Sequence, residues 1–381
     1  MRKEGNRVRI TAQLLNAIDG FHLWSQTFDR ELTGIFAAQD EISKAVVAAL
    51  RVKLLPGQQP RRHPVNPEVY NEYLLGKQFF HQLTAEGNLR AVAAFDKALA
   101  ADPKFAPAWA ALAIATFWVA DVAESAAAIR QGYERAMQAA EKAVALDPDL
   151  AEGYAARGFL RSSIRWDWEG ARADFERALA LNPGDSEIHR WYAGAVLEAL
   201  GQLAEAVAEA RKAADLDPLS AAAWGRLGRV LWMSGELEPA RAALERSLHI
   251  LPEQSYAAAN LAVTLLLQKR PAEALTAAGR STQELFRMEG KAMALHDLGR
   301  DEEGHQLLDQ LIARYSHGAA FQIAEVYAWF GEPDRAFEWL ERAYQQHDSG
   351  LSSLKGDALL RGIRGDPRFK ALLRKMNLPP D

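Results

Sequence analysis

No cysteine occurs among the 381 residues, so neither a disulfide nor a thiolate can contribute structure or chemistry. No run of eighteen or more apolar residues appears, which excludes a membrane-spanning helix of ordinary length. The opening Met1-Arg-Lys-Glu-Gly-Asn-Arg7 lacks the apolar stretch of a secretory signal. The expected location is the cytoplasm, or the periplasm if a longer parent protein is anchored in a membrane. Strong charge of one sign is missing too. A net charge of −5 and an isoelectric point near 6.0 give no general attraction to nucleic acid or acidic membranes.

Signatures of catalysis are equally scarce. Gly76-Lys77 and Gly290-Lys291 lack the upstream glycine and the following Ser or Thr of a phosphate-binding loop. There is no Gly-x-Ser-x-Gly elbow and no histidine pair at zinc-helix spacing. The densest cluster, His296-Asp-Leu-Gly-Arg-Asp-Glu-Glu-Gly-His305, reads as a solvated turn in preference to a metal site. No catalytic residue, metal or cofactor is expected, and the chain is not read as an enzyme.

What the sequence does have is periodicity. Pro103, Pro148, Pro183, Pro218 and Pro252 are separated by 45, 35, 35 and 34 residues, and each follows a similar Ala-rich run. With the proline as position 32 of a unit, position 20 is Ala91, Ala136, Ala171, Ala206 and Ala240. Position 27 is Ala98, Ala143, Ala178, Ala213 and Ser247. Seven residues apart, these share one helix face, and their small size lets two helix axes approach closely. Position 8 of the preceding helix is also small: Gly76, Ala113, Gly158, Ala193, Gly228 and Ala262. The proline ends each second helix, because the residue before it is forced out of helical geometry. A period near 34 with these offsets predicts stacked helical hairpins. Past Pro252 the proline mark is lost, but small residues at Ala262 and Ala274, Ala292 and Gly304, and Ala324, Ala336 and Ala343 fit three more pairs. Unit two carries an insertion around residues 120–131, expected to lengthen its helices or their turn. Trp166 and Trp168, in the turn of unit three, read as packing over that hairpin end.

These residues resemble the tetratricopeptide repeat. The resemblance implies an all-α, right-handed solenoid of about eight helix pairs over residues 68–346, with a concave face that binds other chains. Ahead of it, Arg7–Leu15 and His22–Phe28 alternate with period two and predict a β-hairpin. Residues 39–54 read as an amphipathic helix. Arg7-Val-Arg-Ile-Thr-Ala-Gln-Leu, Gly20-Phe-His-Leu-Trp-Ser-Gln-Thr-Phe-Asp-Arg30 and Phe36-Ala-Ala-Gln-Asp-Glu-Ile42 resemble the end of a TolB-like α/β domain. Such domains precede repeat arrays in adenylate cyclase-type and winged-helix regulators. Residues 1–54 are therefore read as an incomplete α/β segment, whose unfinished sheet is one route to a homo-oligomer. Pro56, Pro60, Pro64 and Pro67 mark residues 55–67 as a linker. Residues 1–65 hold ten Lys/Arg against six Asp/Glu, a stretch read as solvated or as a docking strip for an acidic partner. Residues 347–381 are expected to close the last repeat, with Phe369, Leu372, Leu373 and Met376 as the stripe of a final helix.

The resemblance also implies which first-helix positions face the groove. It places Arg190, Arg226, Arg229, Trp232, Tyr256 and Asn260 there, with Phe117, Trp118 and Trp329 further along. Arginine forks bind carboxylates and aromatic rings anchor interfaces. The expected partner is a protein or peptide, acidic or carboxylate-terminated. The alternative is that these arginines form surface salt bridges with Glu198, Glu205 or Glu236. Two further readings of function stand beside a scaffold: the sensory portion of a cyclase-type signalling protein, or that of a winged-helix transcription regulator.

Overall fold

A computed structural model describes residues 2–4, 7–15, 22–31, 41, 42, 45, 66–82, 84–121, 123 and 125–380. Three strands, β1 (Arg2–Glu4), β2 (Arg7–Leu15) and β3 (His22–Glu31), form an antiparallel sheet in the order β1-β2-β3. The expected hairpin is β2–β3, with Ile10 opposite Phe28 and a register irregularity at Leu14/Leu15. The short β1 was not expected. Most of the helix expected over 39–54 lies outside the described residues, as do Pro56, Pro60 and Pro64.

From Asn66 onward the chain is helical hairpins. Asn66 caps the first helix by accepting from Glu68 N at 3.0 Å, and Pro67 opens it. Eight pairs follow: α1 (Pro67–Phe80) with α2 (Ala85–Ala101), α3 (Ala106–Asp121) with α4 (Ala126–Leu146), α5 (Ala151–Leu160) with α6 (Trp168–Leu181), and α7 (Ser186–Tyr192) with α8 (Leu203–Leu216). Then come α9 (Ala221–Met233) with α10 (Leu237–Ile250), α11 (Ser255–Leu267) with α12 (Pro271–Gly279), α13 (Glu284–Asp297) with α14 (Asp301–Tyr315), and α15 (Ala320–Trp329) with α16 (Pro333–Gln346). The insertion in unit two lengthens both its helices, to 16 and 21 residues.

The small positions sit where the helices touch. Ala91, Ala136, Ala171, Ala206 and Ala240 are all 0% exposed, as are the five residues at position 27. Glycine is required at two position-8 sites: a Cβ on Gly76 would lie 2.4 Å from Phe95, and one on Gly228 would lie 2.4 Å from Leu244. The Asp-Pro stops work through local hydrogen bonds. Asp102, Asp147 and Asp217 each accept from the backbone N–H two residues on, at 2.9, 3.1 and 3.2 Å. Six residues past three of the prolines, a ring nitrogen reaches back to the proline carbonyl: Trp109 and Trp224 donate at 2.9 and 3.0 Å, and His189 contacts at 3.0 Å. Turn and next helix are thereby locked together. Ala206→Leu should overpack the α7–α8 joint and cost about 1–3 kcal/mol of unfolding free energy. Glu205→Leu, one residue away on the exposed side, should change it by less than about 0.5 kcal/mol. Calorimetry of both variants checks the assignment of faces.

The end of the chain departs from the expected simple cap. After α16, His347 turns the backbone left-handed (φ 53°), and two 3₁₀ turns follow, Ser349–Ser353 and Ala358–Ile363. The final helix, α17 (Pro367–Lys375), buries Phe369, Leu372 and Leu373 and is tied to α16 by Lys375–Glu341 at 2.8 Å. It also reaches far back. The Trp168 indole donates to the carbonyl of Met376 at 2.8 Å, and Trp166 stacks on Tyr344 and His347 with centroids 5.3 and 5.0 Å away. Trp166 and Trp168 therefore join unit three to the end of the chain; they do more than cover their own hairpin.

Candidate functional site: the concave face

The first helix of unit four does not continue as a regular α-helix. Ser186–Tyr192 runs into a π-helical turn, Ala193–Leu197, whose wider loop delivers Glu198 to the concave face. Gly194 within that turn leaves room for Arg226, since a Cβ there would lie 2.4 Å from the guanidinium carbon. Arg226 donates to Glu198 Oε2 at 2.8 Å, and Arg229 to Glu198 Oε1 at 2.8 Å. Arg229 also donates to Ser353 Oγ at 2.9 Å and stands 3.6 Å from Asp357. Burial alone would push the Glu198 carboxyl upward; Arg229 and Arg226 outweigh it and hold Glu198 below the usual carboxylate range.

The structure thus brings Arg226, Arg229, Tyr256 and Asn260 together. The Arg226 guanidinium lies 5.4 Å from the Tyr256 ring centre, and Arg229 donates weakly to Asn260 Oδ1 at 3.4 Å. Arg190 stands apart, paired with Glu187 at 2.5 Å. Trp232 is 1% exposed and gives its indole N–H to Asn260 Oδ1 at 2.9 Å, so its ring is core and offers no face to a ligand. Trp329 donates to Asp297 at 3.0 Å, joining units seven and eight. Of the three acids named as partners for the arginines, Glu198 takes both Arg226 and Arg229. It does so when only 1% exposed, which makes the pairing interior and not a surface bridge.

The 3₁₀ turns cross this face. Ser353 donates to Glu198 Oε1 at 3.0 Å and Ser349 to Asp121 at 3.2 Å, linking the chain end to units four and two. Leu351, Leu354 and Leu360 are each 0% exposed beneath the turns. Between the 3₁₀ segment and the first helices lies a cavity of about 670 Å³. Its wall carries Trp118, Phe159 and Trp191 at one end, the Arg226–Glu198 pair in the middle and Glu289 and Glu325 at the other. The 3₁₀ segment was not foreseen as part of the groove; irregular backbone carries no periodic signal, and its partners are up to 228 residues distant.

Glu289, Glu325 and Asp357 form a buried carboxyl chain that sequence inspection also missed. They come from α13, α15 and the segment between the 3₁₀ turns, and only the curl of the solenoid brings them together. Burial pushes Glu289 from its ordinary 4.5 to about 8, with Asp357 adding to the rise and Arg229 opposing it. Burial, then repulsion from Asp357 and Glu289, raises Glu325 well above its usual range. Asp357 is raised by burial against the pull of Arg229. Folded protein therefore keeps protons here that the unfolded chain gives up. Their contribution is fully present below about pH 4.5 and is lost as the pH rises through about 8. Thermal stability should fall between pH 5 and 8, where Glu198, with its depressed value, stays ionised and adds no slope. Glu325→Gln should flatten that decline and leave the variant more stable than wild type at pH 8, by roughly 1–3 kcal/mol. Calorimetric melting points across that range check both.

The tetratricopeptide repeat family matches residues 167–218 and 197–259. A putative adenylate cyclase 3 from Rhizobium meliloti (strain 1021) is 39% identical over 117 residues, which is 30% of this chain and 20% of that protein. Among solved structures, the type IV pilus biogenesis factor PilW is 21% identical with a TM-score of 0.44, covering 56% of this chain and 98% of its own. YrrB, described as a repeat protein with an unusual peptide-binding site, is 22% identical with a TM-score of 0.31, covering 50% and 88%. No described helix is long and apolar enough to cross a membrane. Periodic small residues, proline stops, stacked hairpins and the family match over residues 167–259 lead to one conclusion: the chain carries tetratricopeptide repeats within an α-solenoid of helix pairs.

Proposed function

We propose that the chain is a non-enzymatic interaction scaffold that holds a segment of a partner protein against its concave face. One observation carries this reading. First helices from successive units converge on a cavity of about 670 Å³ that exposes aromatic side chains beside buried polar ones. Repeat solenoids use such continuous concave surfaces to bind other chains. The expected preference for an acidic or carboxylate-terminated segment belongs to this proposal as its finer part. It requires Arg190, Arg226 and Arg229 to exchange Glu187 and Glu198 for carboxylates of the partner. The test is capture of bound chains from the native cell with wild type and with Ala259→Trp, which puts a large ring into the cavity from its wall. Loss of the same bound chains from the variant supports the reading; their unchanged recovery rejects it.

A second reading is favoured by the relative named as an adenylate cyclase. In it, the chain is the sensory portion of a cyclase-type signalling protein, with the catalyst on another segment or subunit. A cyclase domain encoded in frame before Met1, or a cyclase among the captured chains, would support it. A winged-helix domain in that position would favour the transcription-regulator reading.

A further inference from the structure

We infer that the partner segment docks on the aromatic ladder Trp118–Phe159–Trp191 at the open end of the groove, and that this segment is uncharged and carries an aromatic or large aliphatic side chain. The inference rests on the scaffold reading above and takes an uncharged segment in place of the acidic one expected from the sequence. Three observations carry it.

The first is the ladder itself. Trp118 on α3, Phe159 on α5 and Trp191 on α7 stand side by side on three successive first helices. Ring centres are 5.9 Å apart for Trp118–Phe159 and 5.8 Å for Phe159–Trp191, all tilted. Phe117 braces the first two edge-on, at 5.1 Å from each, and is itself buried. Trp118 nevertheless remains 39% exposed, and Phe159 and Trp191 are only partly buried. Rigid, braced, half-exposed aromatic rings are the groups that dominate binding energy at interfaces.

The second is access. The 3₁₀ segment crosses the concave face, with Ser349 bonded to Asp121 in unit two and Ser353 to Glu198 in unit four, and is not a loose strap, since Leu351, Leu354 and Leu360 beneath it are fully buried. Trp118, 39% exposed, keeps the ladder reachable from solvent.

The third is charge. Arg226 and Arg229 face Glu198 and Asp357, two bases to two acids, and Arg190 is matched by Glu187. Glu289 and Glu325 on the far wall form no ion pair among the described residues, and burial favours their protonated form, so they add no cation there. An acidic segment would meet no unmatched cation there and would have to displace an internal carboxylate. An uncharged segment has no such requirement.

The test uses the whole protein and three fluorescent glycine–serine peptides of about nine residues. One carries a Phe-Leu pair, the second has Ala-Ala there, and the third keeps Phe-Leu but has glutamate flanks. The Phe-Leu peptide should bind at least tenfold tighter than the Ala-Ala peptide and no more weakly than the acidic one. Raising salt from 0.05 to 0.5 M should change its affinity less than twofold. Trp118→Ala, at a half-exposed position whose folding is checked by its melting curve, should weaken it at least tenfold. Leu89→Ser, on the outer side of unit one, should have no effect. Tighter, salt-sensitive binding of the acidic peptide, indifference to Trp118→Ala, or no binding of the Phe-Leu peptide would overturn the inference. The two proposals fail separately. Native chains lost with Ala259→Trp but retained with Trp118→Ala leave the scaffold and remove the ladder; chains retained with both remove the scaffold as well.

Discussion

Glu198→Ala should destabilise the protein by about 3–5 kcal/mol, among the largest losses available to a single polar substitution here. The reason is the company Glu198 keeps. Its two oxygens serve two guanidinium groups at 2.8 Å and a serine hydroxyl at 3.0 Å, with Glu198 itself buried and the two arginines largely so. Removing the carboxylate strands Arg226 and Arg229 as like charges on one helix face, three residues apart. Asp357, 3.6 Å from Arg229, is the remaining acid and is already held up by burial. Glu198→Gln keeps one acceptor for the arginines but not the charge, and should fall between the two. The combined Glu198→Leu, Arg226→Met and Arg229→Met variant should recover most of the loss, because a buried ion network can often be replaced by packed apolar groups. Urea or thermal unfolding of the set checks the order. A single Glu198→Ala loss below about 1 kcal/mol would mean that water reaches these arginines and that they are available to a partner after all.

Leu360→Ala should cost about 2–5 kcal/mol, the range for deleting a fully buried leucine. Leu360 is 0% exposed and belongs to the same apolar cluster as Trp168, Phe321 and Met376, so its loss opens a cavity between the 3₁₀ segment and the repeats. Leu219→Ala is the contrast: a leucine of the same size at the groove rim, 75% exposed, expected to shift stability by less than about 0.5 kcal/mol. A large effect at Leu360 identifies residues 349–363 as part of the folded core. A small effect would make them a displaceable strap, and the carboxyl half of the groove would then be open to ligands.

The parts of the fold that were legible in the sequence share a cause. Ala136, Ala171, Ala206 and Ala240 recur because every joint in a solenoid meets the same close approach of helices, so one physical demand is written many times. The left-handed turn between paired helices is written in the same way. Gly201, Gly235, Gly299 and Gly331 all have φ between 73° and 90°, and Lys269 holds the corresponding place in unit six at φ 61°. What stayed hidden does not recur from unit to unit. Glu198 reaches its place through a single π turn, Asp357 through an irregular segment, and Glu289 and Glu325 through the curl of units six to eight. For the site, the first-helix offsets put Arg190, Arg226, Arg229, Trp232, Tyr256 and Asn260 on one face, with Trp118 further along; in the structure Arg226, Arg229, Tyr256 and Asn260 lie together. The offsets could not show that Glu198 would occupy the arginine forks, nor that Trp232 would be core, because both depend on which neighbour fills the groove.

Amide hydrogen exchange over residues 349–363 tests the central claim most directly. If this segment closes the groove as part of the core, its amides bonded within the fold, such as Leu354 N to Leu351 O at 3.0 Å, should exchange only in the opening that also releases α9. Denaturant should then accelerate both together. Exchange of the segment at low denaturant while α9 stays protected would show that it lifts away on its own, and the account of a matched, half-closed groove would be wrong.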